Sequence, residues 1–179
     1  MFKPSFQSAP RAGRSRSVAA GGRALKRERP IIGWREWIFL PSWLDMPVKA
    51  KIDTGARTSS IHSFGTRRFT ERGHPHVEFL LHPMQGEDSP ELACVAPVKD
   101  ERWVKSSNGE AEFRIVIETV ARLGTIDWPI ELTLADRDVM GFRMLLGREA
   151  LRRRFLVDPA RSFRLSGRLS PALGQAEPA

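Results

Sequence analysis

The sequence has little of what would mark a secreted, membrane-bound or metal-dependent protein. Cys94 is the only cysteine in 179 residues, so no intrachain disulfide can form. Nothing points to an oxidising compartment, and the expected location is the cytoplasm. No apolar run approaches the roughly 18 residues of a membrane span. No apolar core of a secretory leader follows the basic start, so neither a leader nor a membrane partner is expected. The four histidines, His62, His74, His76 and His82, form no His-Glu-x-x-His, and there is no cysteine pair to join them. No metal site is therefore expected. A Gly-rich phosphate loop is missing too, which leaves ATP without a cradle. The expected cofactor list is empty. There is no internal repeat.

Charge is abundant but uneven. Residues 1–30 hold eight Lys/Arg against the single acid Glu28, a net of +7; the other 149 residues hold 21 basic and 20 acidic groups, a net of +1. The high isoelectric point thus belongs to an Arg/Gly/Ser/Ala-rich segment with too few large apolar residues to offset the entropy of ordering. Residues 1–30 are expected to be a disordered basic tail, the one part with surplus charge for nucleic acid or anionic lipid. The rest reads as a near-neutral single domain, followed by a loose tail over 166–179.

The chain is organised around Val48-Lys49-Ala50-Lys51-Ile52-Asp53-Thr54-Gly55-Ala56. Alternating apolar and basic residues predict a strand that runs into an acidic turn. Gly55 lets that turn tighten and leaves its N–H open to the Asp53 carboxylate. The hydroxyl run Thr58-Ser59-Ser60 follows. A second stretch, Phe142-Arg143-Met144-Leu145-Leu146-Gly147-Arg148, places apolar residues and a glycine before a predicted helix, Arg148 to Phe155.

These stretches, with Val104-Lys105-Ser106-Ser107-Asn108-Gly109, carry a resemblance to the retropepsin-like aspartic proteases. More narrowly, the chain resembles the bacterial RimB-type family, often labelled "ATP-dependent zinc protease". The resemblance runs from about Ile31 to Leu165 and implies a closed all-β acid-protease barrel with one short C-terminal helix, over a 31–165 peptidase domain.

The strand pattern agrees with an all-β chain. Ile31–Leu40 predicts a first strand, and Leu44–Pro47 the turn of a hairpin into the Asp53 strand. Thr66–Pro75 is polar and basic, a predicted surface loop. Val77–His82 and Leu92–Ala96 predict strands. Asn108-Gly109 is a strong hairpin signal, and Leu123–Asp127 marks a second hairpin leading to Ile130–Leu134. Ser162–Leu165 is expected to add a last strand.

Peptide hydrolysis needs an activated water and a proton for the departing amine. Two carboxylates sharing one proton supply both, because like charges a few ångströms apart cannot both ionise. This chain offers one Asp-Thr-Gly, so the resemblance implies a two-fold homodimer that joins Asp53 to its counterpart. It also implies that Thr54 braces the paired loops, that the Gly55 N–H orients the carboxylate, and that Leu145, Leu146 and Gly147 support the loop from below. The hairpin at 104–110 is the expected flap.

In viral relatives the second residue after the motif glycine is often Asp, paired with the Arg after the second glycine. Here Arg57 stands there and Arg148 is kept, so Glu149 or the substrate must answer two cations. The expected substrate-binding set is Ala56, Arg57, Lys105, Ser106 and Arg148. Its charge fits an acidic peptide or glutamate-tailed protein, the RimB-type substrate. The rival expectation is a catalytically silent retropepsin-fold module that binds peptides.

Overall fold

A computed structural model describes residues 28–105, 109, 111–136 and 141–167. The expected basic tail, the expected C-terminal tail beyond 167 and the flap tip at Ser106–Asn108 lie outside the described residues, apart from 28–30.

Eleven strands and one short helix make up the described chain. The predicted first strand is split by Trp34 into β1 (Ile31–Gly33) and β2 (Arg35–Ile38), because the two halves have different neighbours. β2 pairs antiparallel with β3 (Val48–Asp53), forming the expected hairpin. Along β3, Val48, Ala50 and Ile52 are buried while Lys51 is exposed, the period-two pattern read from the sequence.

β4 (Ser59–His62) leads into β5 (Phe64–Glu71), which pairs antiparallel with β6 (His74–Leu81). The predicted loop over 66–75 is therefore a hairpin. Arg72 and Gly73, both at positive φ, make its turn. Its polarity misled because β5 is an exposed edge with no apolar face to reveal the strand. β7 (Leu92–Lys105) and β8 (Ala111–Leu123) form the long hairpin expected around Asn108-Gly109. β8 turns through Gly124 and Thr125 into β9 (Ile126–Ala135), with Leu123 opposite Ile126.

The last elements are β10 (Met144–Gly147), α1 (Arg148–Leu151) and β11 (Leu156–Asp158). The helix is half the predicted length. Arg152 is extended and Arg153 lies at φ 66°, which reverses the chain and lets β11 pair in parallel with β1. The Phe155 N–H still donates to the Leu151 carbonyl (3.1 Å), so the i, i+4 pair stays together and buried. Phe155 packs edge-on against Trp128.

The predicted strand at 162–165 is a turn instead. The fully buried Glu36 carboxylate accepts from the N–H groups of Gly33, Arg164, Leu165 and Ser166 and from the Ser166 hydroxyl, at 2.6–3.2 Å. Those donors converge on one side chain and are not available to a ladder.

The main sheet runs β2-β3-β10-β4-β9-β8-β7-β6-β5. It is not the closed barrel expected. Its ends, β2 and β5, do not pair; among the described residues, the isolated Phe39–Arg122 bridge is the one backbone ladder link from the end of β2 back to β8. The curled sheet nevertheless encloses one core, which includes Ile38, Ala50, Ile52, Phe79, Ile117, Leu132, Leu146 and Leu151.

Candidate active site

The topology that matters lies between β3 and β4. β10 is inserted between them, parallel to β3 with Gly147 opposite Asp53, and antiparallel to β4 with Leu145 opposite Ser60. The chain leaving Asp53 must therefore cross the end of β10 before it can enter β4. Residues 54–58 make that crossing.

The crossing is held from both sides. Below it, the Gly147 N–H donates to Ser59 Oγ (3.1 Å), and the Thr133 hydroxyl donates to the Ser59 carbonyl (3.1 Å). From α1, the N–H of Arg148 donates to the Ala56 carbonyl (2.8 Å) and that of Glu149 to the Arg57 carbonyl (3.0 Å). The first N–H groups of a helix lack intrahelical partners; here the loop supplies them, where no side chain caps the helix. The Leu-Leu-Gly support read from the sequence is present: Leu146 is fully buried and Gly147 is in close backbone contact with Thr58.

At the tip, Asp53 Oδ1 accepts from the N–H groups of Gly55 (3.0 Å) and Ala56 (2.9 Å). The carboxylate is half-buried and fixed against its own loop, while Thr54 and Gly55 are exposed. Both of these hydrogen bonds go to Oδ1, which leaves the second oxygen for work as a proton acceptor or as one half of a pair.

The two arginines separate. Arg148 Nη1 donates to the Thr54 carbonyl (3.2 Å) and so braces the loop. Arg57 is largely exposed and lies 3.9 Å from Glu149, which also faces Arg152 at 3.5 Å. Beside Arg57, a cavity of about 380 Å³ is lined by Thr58, Ser59, Lys99, Arg102, Glu118, Glu131 and Glu149 among others. Lys99 bridges Glu118 and Glu131, and Arg102 pairs with Glu131 at 2.5 Å. The hydrogen bonds that Lys99 donates to Glu118 and Glu131 raise its ammonium above the usual range, and the one that Glu131 accepts from Arg102 lowers Glu131.

Lys105 ends β7, exposed and without an ion pair among the described residues; Ser106 lies outside them. The structure thus gathers Asp53, Gly55, Ala56, Arg57 and Arg148 around one loop and leaves Lys105 on the hairpin. Sequence reasoning missed Glu118, Glu131 and the Lys99–Arg102 side of the cavity, since nothing in their spacing shows that β7, β8 and β9 meet there. It also missed Trp103, highly exposed on the hairpin and packed edge-on against Phe113 (5.5 Å); strand alternation around Trp103 was the available signal.

Among the described residues, no three His, Cys, Asp or Glu side chains come together as a metal-ligand group. None of their helices is long and apolar enough to cross a membrane.

An Asp-Thr-Gly loop crossing a Leu-Leu-Gly strand, in an all-β chain with one short helix, defines the retropepsin-like class. The profile of the RimB-like family, described as retropepsin-like aspartic endopeptidase RimB, matches residues 31–166, and the chain belongs to that family. Curated relatives bear a different name. A probable alpha-L-glutamate ligase of Shewanella pealeana is 51% identical over 133 residues, which cover 74% of this chain and 29% of that protein. One from Desulfotalea psychrophila is 43% identical over 148 residues, 83% of this chain and 32% of its own length. The chain thus spans about a third of the curated relatives it matches. In fold it is similar to the crystal structure of Lpg0085, a Legionella pneumophila protein of unknown function, with a TM-score of 0.65 and 24% identity over 76% of this chain and 98% of that one.

Proposed function

We propose that this chain is an aspartic endopeptidase that works as a cytoplasmic homodimer on acidic or glutamate-tailed polypeptides. The observation that carries the reading is the Asp53 carboxylate, pinned through Oδ1 by two backbone N–H groups at a loop anchored on Gly147. In a two-fold dimer it would meet Asp53 of the partner subunit. The ionised member of the pair takes a proton from water as the water attacks the peptide carbonyl. The protonated member polarises that carbonyl, and a proton then passes to the departing amine. The roles belong to the pair. Thr54, exposed beside the carboxylate, would brace the two loops. Lys105 and Ser106 would meet substrate from the flap, and Ala56 and Arg57 from the loop.

The acidic substrate is supported by Arg57, whose ion pair among the described residues is long and exposed, and by relatives named probable alpha-L-glutamate ligase. A ligase that extends a chain with glutamate creates the bond that such a hydrolase would break. The same names favour a second reading, a catalytically silent module that recognises the peptide for a ligase. Asp53→Asn separates the two. In an enzyme it abolishes cleavage of a glutamate-tailed peptide and leaves binding intact; in a binding module the wild type cleaves nothing. Sedimentation of the wild type with and without peptide tests the dimer, since a ligand that binds only the dimer drives association.

A further inference from the structure

The cations beside the Asp53 loop are not equally available. Lys99 and Arg102 are locked to Glu118 and Glu131 by contacts of 3.2 Å or shorter. Arg57 and Arg152 share one carboxylate, Glu149, at 3.9 and 3.5 Å. The Arg57 side chain is 76% exposed and that of Glu149 47%. A contact so long and so wet is worth little and is readily exchanged for another carboxylate. Glu149 also borders two depressions: the cavity of about 380 Å³, where it shares the lining with Arg57, and an open basic hollow lined with Arg152, Arg153 and Arg154. Its backbone N–H is fixed to the Arg57 carbonyl, so its carboxylate is tethered where an incoming acid would bind.

We propose that Glu149 is an internal stand-in for a substrate carboxylate: it occupies Arg57 and Arg152 in the free protein, and a glutamate side chain of the bound polypeptide displaces it. Glu149 thereby sets how strongly the site favours acidic over neutral chains. This rests on the acidic-substrate reading above. A neutral peptide has nothing to exchange for Glu149 and does not benefit from its removal. An acidic one competes with it and binds better once it is gone.

The test measures binding, so that it stands apart from catalysis. In the Asp53→Asn protein, the affinities of a fluorescent pentaglutamate peptide and of its pentaglutamine counterpart are compared with and without Glu149→Gln. The expected result is about two- to fivefold tighter binding of pentaglutamate alone, the worth of an exposed ion pair. Adding Arg57→Ala should remove most of that gain. Asp45→Asn makes the same charge change in the turn at the far end of β3 and should give much less. Equal gains from Asp45→Asn, a gain for both peptides, or no gain would overturn the proposal. A gain for a short oligonucleotide equal to that for pentaglutamate would show a general anion effect and overturn it too. If the wild type cleaves nothing while Glu149→Gln still tightens pentaglutamate, the peptidase reading fails and the stand-in survives.

Discussion

Thr58 and Gly147 touch through their backbones so closely that a Cβ at 147 would stand 2.5 Å from both the carbonyl carbon and oxygen of Thr58. Neither group is the end of a flexible side chain, so an added methyl must move either β10 or the loop that holds Asp53. Gly147→Ala should therefore cost about 2–4 kcal/mol of stability and lose most activity. Thermal melting and peptide cleavage on the soluble fraction check this. A variant with wild-type Tm would show that the loop is not seated on Gly147.

Glu36 places its carboxyl group in the core, answered by five hydrogen-bond donors. Three of the N–H donors come from residues 164–166, so one side chain docks the end of the described chain. Glu36→Gln keeps the shape but turns an amide N–H₂ toward donors that need an acceptor. The expected loss is on the order of 3 kcal/mol, read as a lower urea midpoint. Because none of these hydrogen bonds involves residues 53–58, kcat on folded protein should change far less than stability.

The sequence revealed the parts whose pattern is local. The Val48–Asp53 alternation, the turn at Gly124, the pairing of β7 with β8 on either side of Asn108-Gly109, and the Leu145–Gly147 support each follow from neighbouring residues. What it hid depends on distant pairing. Leu156–Asp158 is a strand because β1 is there to pair with it, and that pairing ends α1 at Leu151. Phe64–Glu71 is an edge strand without a buried face, so its polarity resembled a loop. The sheet stays open because its terminal strands, β2 and β5, do not pair with each other, a matter of long-range topology that no motif encodes. At the site, Asp53 and Gly55 were legible from one tripeptide. The division of labour between Arg148 and Arg57 was not, since it turns on which of them can reach the Thr54 carbonyl.

Cys94 is buried on β7, and burial pushes its thiol up to about 11. A thiol whose folded pKa is raised contributes its stability in full below the unfolded value, near 9, and loses it as pH climbs toward 11. Labelling by an aromatic disulfide reagent at pH 8 should be slow in native buffer and fast in denaturant. Rapid labelling of the native protein would mean that the β6–β7 region opens locally.

Arg148 and Arg57 should fail in different ways. Arg148 touches the Thr54 carbonyl, on the loop itself, whereas Arg57 faces Glu149 and the open cavity. Arg148→Ala removes a brace that every substrate needs. Its kcat/KM should fall about fivefold or more on an acidic and on a neutral peptide alike, the equivalent of about 1 kcal/mol for one partly exposed charged hydrogen bond. Salt should change that loss little. Arg57→Ala removes a cation that only a carboxylate can use. Its KM should rise for the glutamate-rich peptide and stay close to wild type for the neutral one, and added salt should imitate the change in the wild type by screening. Kinetics on two peptides of equal length, at low and high salt, decide between these outcomes. If both variants lose activity equally on both peptides, Arg57 belongs to the loop's scaffold and does not read charge. If Arg148→Ala loses only the acidic peptide, its bond to Thr54 is incidental and the substrate is its real partner.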